Sequence, residues 1–151
     1  MDLLPERLEV ARRVGADEVI LAGDVDPVEA ILRCTGGRGV DVAFEVAGVS
    51  ETPRQCTEVT RPGGTVVLIG IPREDQISLR AGVARRKGLT ILMARRMKHT
   101  YQRAITLVER EMVDVGCLIT HRFSLEEIVP AFEMVAEYGD GVIKAVITEF
   151  T

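Results

Sequence analysis

Short apolar runs alternate with segments whose apolar residues recur at helical spacing, and that alternation constrains the fold more than any other feature of the chain. Leu4, Leu8, Ala11 and Val14 form one helical stripe, with Pro5 in its first turn and Gly15 as a C-terminal stop. "EVILA" (18–22) reads as a short buried strand. Asp26 and Pro27 then supply an N-cap and a first helical position, and "TGGRG" ends that helix. "VDVAFEV" (40–46) is the next strand. "AGVSETP" follows as a loop in which Ser50 is placed to cap a helix reaching Thr60. "RPGG" reads as a tight turn before the strand "TVVLIG" (65–70), and "LTILMA" (89–94) as a further strand. An amphipathic helix is expected over 100–111, a capping box at "SLEE" (124–127), a helix to about Tyr138, and a closing strand "VIKAVITE".

Strands alternating with helices of roughly 10 to 15 residues imply βαβ units and a doubly wound parallel sheet with helices on both faces. At 151 residues the chain has the length of a single domain, 1–151, able to bury a core. Aromatic residues make up only 4%, so the interior must be built from Val, Ile, Leu, Ala and Met, as in buried parallel strands. The net charge of −4 argues against nucleic acid or an anionic membrane as the main partner. No apolar run approaches the roughly 18 residues of a membrane span, and the expected location is cytoplasmic.

Metal ligation finds little support. Cys34, Cys56 and Cys117 are too far apart in sequence for a Cys-x-x-Cys pair, and they are expected to be reduced structural thiols. His99 and His121 have no partner carboxylate at local spacing and are expected to be surface or packing residues. The chain also has no Gly-x-Gly-x-x-Gly turn opening a helix, no Walker loop, no nucleophile elbow and no His-Glu-x-x-His.

In a doubly wound sheet, ligands collect beyond the carboxyl ends of the strands. That rule selects Asp2, the loop Ala47-Gly48-Val49, the turn Gly70-Ile71-Pro72, and the basic stretch Arg95-Arg96-Met97-Lys98. An acid at a strand end accepts hydrogen bonds from ribose hydroxyls and repels a 2′-phosphate. Two like charges about 4 Å apart cost about 1 to 4 kcal/mol near a protein surface. On spacing alone Asp2 reads rather as an exposed acid near a helix start, where it suits the helix dipole. Both loops follow apolar strands and carry glycine, which permits tight turns and close approach of backbone to a ligand. Glu45 is anomalous, because a carboxylate in a buried strand requires a partner unless it lies at the wet carboxyl end. Arg96 suits a phosphate or ribose contact as well as a solvated rim.

Taken in order, "DLLPERLEVARRVGAD", "GGRGVDVAFEVAG", "RPGGTVVLIGIP", "THRFSLEEIVPAFE" and "GVIKAVI" closely resemble the medium-chain zinc-dependent dehydrogenases, nearest to the sorbitol, threonine and related alcohol dehydrogenases. The resemblance spans essentially the whole chain. It implies the C-terminal part of a Rossmann-type NAD-binding domain that lacks the first strand and the glycine-rich loop. By this resemblance Asp2 matches the acid on the adenosine ribose and Arg7 a basic residue beside the adenosine. Ala47, Gly48 and Val49 match the loop bordering the nicotinamide ribose. Ile69, Gly70 and Ile71 match the turn whose backbone meets the nicotinamide carboxamide. Arg96 resembles an arginine near the nicotinamide, although Met97 stands where the polyol branch has an aromatic residue. Lys144 matches a basic residue of the closing strand.

The resemblance implies an oxidoreductase, yet the zinc ligands of that family and its pyrophosphate grip are not in this sequence. The expected cofactor is NAD rather than NADP, bound weakly or not at all by this chain alone, with no zinc bound. Without a first strand, "VDVAFEV" is left with an unpaired apolar edge, a template for association. The expected partners are a second copy in a homodimer or domain-swapped oligomer, or a separate N-terminal catalytic chain. A non-enzymatic α/β assembly or regulatory module is the alternative.

Overall fold

Three of the expected strands assemble into one parallel sheet in the order β1-β2-β3: β1 (Val40–Glu45), β2 (Thr60–Leu68) and β3 (Thr90–Met93). The computed structural model describes residues 1–97 and 99–149. The chain divides into two compact units, Gly23–Lys98 and Met1–Ala22 with His99–Thr151.

In the unit 23–98, Phe44 lies opposite Val67, and Val67 opposite Leu92. Alternation along β1 buries Ala43 and Glu45 and exposes Val42 and Phe44. The core lies on the buried side, where Ala43, Val66 and Leu68 meet Cys56 and Val59. Cys56 and Val59 belong to α3 (Thr52–Val59), and Val28 and Ile31 of α2 (Pro27–Cys34) pack against the same cluster. Asp26 caps α2 as expected, its Oδ1 accepting from the amides of Val28 at 2.8 Å and Glu29 at 2.9 Å.

Several local expectations change. "RPGG" is not a turn before β2 but part of it. Thr60 already pairs with Val40 and Thr65 with Val42, so an irregular stretch at Arg61–Gly64 is accommodated within the ladder. Arg38 and Arg61 both bind Asp41 there, and these hydrogen bonds hold its carboxyl well below the usual range. Ser50 does not cap α3, whose start is fixed instead from Glu45. A helix that was not expected, α4 (Ala81–Lys87), carries the basic run 85–87 in its last turn, where cations suit the helix dipole. Lys87 Nζ donates to the carbonyls of Thr57 at 3.1 Å, Glu58 at 2.6 Å and Thr60 at 2.7 Å, which satisfies the acceptors left at the end of α3. Burial lowers the pKa of that ammonium, against a smaller opposing effect of Glu58.

In the other unit, α1 (Pro5–Arg13) follows Asp2. "EVILA" does not form a strand. It makes a single parallel bridge, Leu21 to Asp2, because the backbone at Asp2 turns into α1 within three residues and offers nothing longer to pair with. A two-stranded parallel sheet joins β4 (Ile119–Ser124) to β5 (Lys144–Glu149), with α5 (Tyr101–Glu109) before β4 and α6 (Ile128–Glu137) between the strands. The capping box is half formed. Glu127 Oε2 accepts from the Ser124 amide at 2.9 Å, but the Glu127 amide donates to the Ser124 carbonyl rather than its hydroxyl.

Candidate functional site

The residues selected from the sequence fall into two groups, one in each unit. Asp2 and Arg7 lie in the unit that includes 1–22, whereas Ala47, Gly48, Val49, Ile69, Gly70, Ile71 and Arg96 lie in 23–98.

Asp2 is held locally. Its Oδ1 accepts from the amides of Leu3 at 2.8 Å and Leu4 at 3.1 Å, and its Oδ2 lies 3.6 Å from Arg7 Nη1. The Arg7 guanidinium stacks over the ring of Tyr138, 5.4 Å from its centroid. Tyr138 ends α6 in the left-handed conformation, φ 54°. Asp2 therefore keeps one oxygen for the backbone and shares the other with a fixed cation.

The second group is assembled around Glu45. This residue is 2% exposed and finds its partners immediately downstream. Its Oε1 accepts from the amides of Ala47 at 2.9 Å and Gly48 at 2.8 Å, and from the Thr52 hydroxyl at 2.6 Å. Its backbone carbonyl accepts from the amides of Ile69 at 2.8 Å and Gly70 at 3.0 Å. One residue thus organises both post-strand loops. Burial, and then the Glu45 charge, push the Cys56 thiol up to about 11, so this cysteine stays protonated and unreactive at neutral pH.

The loops touch each other. Gly48 has φ +67°, and a side chain there would meet the backbone of Ile71, with its carbonyl oxygen at 2.7 Å and its amide nitrogen at 2.9 Å. A side chain at Gly70 would fall against the Gly48 backbone and Glu45 Oε2. Only glycine allows this crossing. Beside it runs an open groove of about 500 Å³, lined by Leu68, Ile69, Ile71, Pro72, Ile77 and Met93 among others. Such a groove, walled by apolar side chains and edged by backbone polar groups, suits the face of a flat heteroaromatic ring.

Ala47, Val49, Ile69 and Ile71 are exposed at this rim, as is Arg96 beyond β3. Lys98, the last of the basic stretch, lies outside the described residues. The sequence pointed to Glu45 without its partner. Thr52 is that partner, and the available signal was a hydroxyl seven positions after an acid in an apolar run. His121 also has a partner that local spacing did not reveal, Asp140 Oδ2 at 3.4 Å. Among the described residues no three His, Cys, Asp or Glu side chains converge as metal ligands. No helix among them is long and apolar enough to cross a membrane.

The profile of the zinc-binding dehydrogenases matches residues 1–110. An alcohol dehydrogenase of Cupriavidus necator is 37% identical over 145 residues, 93% of this chain and 39% of the relative. The sorbitol dehydrogenase of Bacillus subtilis is 31% identical over 146 residues, 97% of this chain and 41% of the relative. Among solved structures, an alcohol dehydrogenase from Thermus sp. ATN1 superimposes with a TM-score of 0.87 at 26% identity, covering 97% of this chain and 42% of that one. A zinc-binding dehydrogenase from Sinorhizobium meliloti, solved with NADP, gives 0.83 at 28% identity, over 96% of this chain and 43% of that one. The chain thus spans about two fifths of the length of the proteins it matches.

Proposed function

Because the chain belongs to the zinc-binding dehydrogenase family, we propose that it is the C-terminal cofactor-binding portion of an NAD(H)-dependent alcohol or polyol dehydrogenase and turns over no alcohol by itself. The observation that carries this reading is the contact of the two post-strand loops through Gly48 and Gly70 over Glu45, beside an apolar groove. In this reading the rim formed by Ala47–Val49 and Ile69–Ile71 borders the nicotinamide end of the cofactor. Asp2, steadied by Arg7, accepts from the adenosine ribose hydroxyls. The Asp2 charge disfavours a 2′-phosphate, which makes NAD the cofactor. When bound, NAD supplies the hydride acceptor, and this chain's share is to bind and orient it. No step through zinc is assigned to these residues.

Calorimetry with NADH tests the reading. No micromolar isotherm is expected, while millimolar NADH shifts the amide resonances of 47–49 and 69–71. A micromolar dissociation constant overturns the weak-binding part of the reading, and unshifted amides overturn the cofactor assignment.

A second reading, a non-enzymatic assembly module, draws on β1. Among the described residues β1 pairs only with β2, and Phe44 on its uncovered face is 62% exposed. The strand carries neither lysine nor proline to blunt this edge. The proposed occupant is a second copy of the chain, in a homodimer or a strand-swapped pair. Light scattering that shows a stable monomer at micromolar concentration overturns it, and in that case a separate N-terminal chain becomes the candidate to cover the strand.

A further inference from the structure

Tyr138 is a large residue at a place where helices commonly end on glycine. Its φ of 54° is left-handed, a conformation that crowds the β-carbon of any residue but glycine. Asp140 (φ 48°) and Gly141 (φ 64°) also lie in this region, so the turn 138–141 has to be held by its surroundings. β4 holds it from one side. His121 Nε2 lies 3.4 Å from Asp140 Oδ2, and Thr120 Oγ1 accepts from the amides of Ile143 at 3.0 Å and Lys144 at 3.4 Å. α1 holds it from the other. A β-carbon at Gly141 would come within 3.2 Å of Glu6 Cγ, and the Arg7 guanidinium lies over the Tyr138 ring. Tyr138 is nonetheless 59% exposed, so apolar burial does not account for an aromatic residue in this conformation. Its stack with Arg7 does.

The cation held in this way is the one that faces Asp2. An unrestrained arginine beside an acid can turn its planar donors outward to a phosphate. Here the ring covers one face of the guanidinium, and Nη1 stands 3.6 Å from Asp2 Oδ2. A phosphate brought to Asp2 therefore meets the carboxylate with no counter-charge free to swing toward it. We propose that Tyr138 is a positioning residue that sets cofactor specificity: it pins Arg7 against Asp2 and so keeps the ribose side hostile to a 2′-phosphate. The specificity half rests on the reading that Asp2 accepts from the adenosine ribose. The positioning half does not.

Two measurements on the full chain separate them. NMR of the Arg7 side chain needs no ligand. Its δ and ε protons are expected upfield of their usual positions in the wild type, under the ring current of Tyr138, and to stay there in Tyr138→Phe, which keeps the ring. In Tyr138→Gly, which removes the ring and the backbone strain together, they return to their usual positions while the urea midpoint holds or rises. Ordinary wild-type shifts, or upfield shifts that survive Tyr138→Gly, overturn the positioning role whatever the cofactor. If Tyr138→Gly does not fold, Tyr138→Asn, which also tolerates the left-handed region, carries the same comparison.

Specificity is then read by NMR titration with adenosine 5′-monophosphate and adenosine 2′,5′-bisphosphate, which differ only in the 2′-phosphate. The amides of Leu3 and Leu4, which donate to Asp2 Oδ1, report binding. The monophosphate is expected to bind about tenfold more tightly to the wild type and to Tyr138→Phe, the size of one exposed like-charge contact. In Tyr138→Gly, Arg7 is free to turn to the 2′-phosphate, and the preference falls to about threefold or less. An undiminished preference in Tyr138→Gly, a preference lost in Tyr138→Phe as well, or a wild type that favours the bisphosphate overturns the specificity role. If neither nucleotide shifts those amides while the Arg7 result holds, the ribose reading fails along with the specificity, and the positioning role stands.

Discussion

Two acids stand at the places where a strand-end ligand site would put them, and their surroundings are opposite. Asp2 is half-exposed, pairs loosely with Arg7, and turns its other oxygen to the first amides before α1. Glu45 is buried, has no cation among its hydrogen-bond donors, and is satisfied by two amides and a hydroxyl within seven residues. The first acid is available to an incoming ligand. The second is consumed in making the surface that a ligand would meet. A carboxylate close to a binding rim therefore need not touch anything bound there, and burial with a full set of donors is what tells the two roles apart.

Substitutions sharpen this contrast. The largest effect is expected at the loop crossing, because Gly70→Ala forces the Gly48 backbone and Glu45 apart. It should cost about 3 to 4 kcal/mol in urea unfolding, and a cost below about 1 kcal/mol would mean that the crossing is slack. Glu45→Ala leaves three donors without an acceptor and should cost about 3 kcal/mol in the same assay. Thr52→Val removes one neutral donor from the network and should cost about 1 kcal/mol. Asp2→Asn keeps the oxygen that receives the Leu3 and Leu4 amides and loses only a surface ion pair, so about 0.5 kcal/mol or less is expected. If Asp2→Asn proves as costly as Glu45→Ala, the contrast collapses.

Cys56 gives a pH-dependent form of the test. Its thiol is held neutral by burial and by the Glu45 charge, so the folded state gives up its proton only near pH 11. The unfolded chain releases the same proton at lower pH. The fold therefore loses stability as pH rises through that interval, relative to Cys56→Ser. Urea midpoints of the two proteins between pH 8 and about 10.5 should diverge in this direction. Parallel midpoints would show that the site is wetter than its geometry implies.

The sequence exposed part of this arrangement. The alternation of apolar runs with helical stripes was enough to place β1, β3 and the second half of β2, and glycine at two strand ends marked both loops. Asp26 announced its own helix because an N-cap acts on the next two or three amides. Other elements were illegible for definite reasons. α4 buries none of its residues, so it has no apolar stripe to read. In β4 the polar His121 and Arg122 interrupt the apolar pattern. "RPGG" has the composition of a turn, but the sheet absorbs it as an irregularity because the residues on either side are already paired. The approach of Gly48 to Ile71 and of Gly70 to Gly48 spans more than twenty positions of chain, and no local pattern encodes it. Glu45 was recognisable as an anomaly. Its solution was not, because Ser50 and Thr52 are chemically alike and only the loop's path decides which hydroxyl arrives.

The crossing at Gly48 and Gly70 also bears on how such a chain can change over generations. Neither loop can accept a side chain at its glycine, or shift its path, without displacing the other, so the two segments are inherited as one part even though separate strands deliver them. Variation that retunes the rim is free only at the outward positions, Ala47, Val49, Ile69 and Ile71. Transplanting either loop into another scaffold without its mate would carry over the letters and lose the shape.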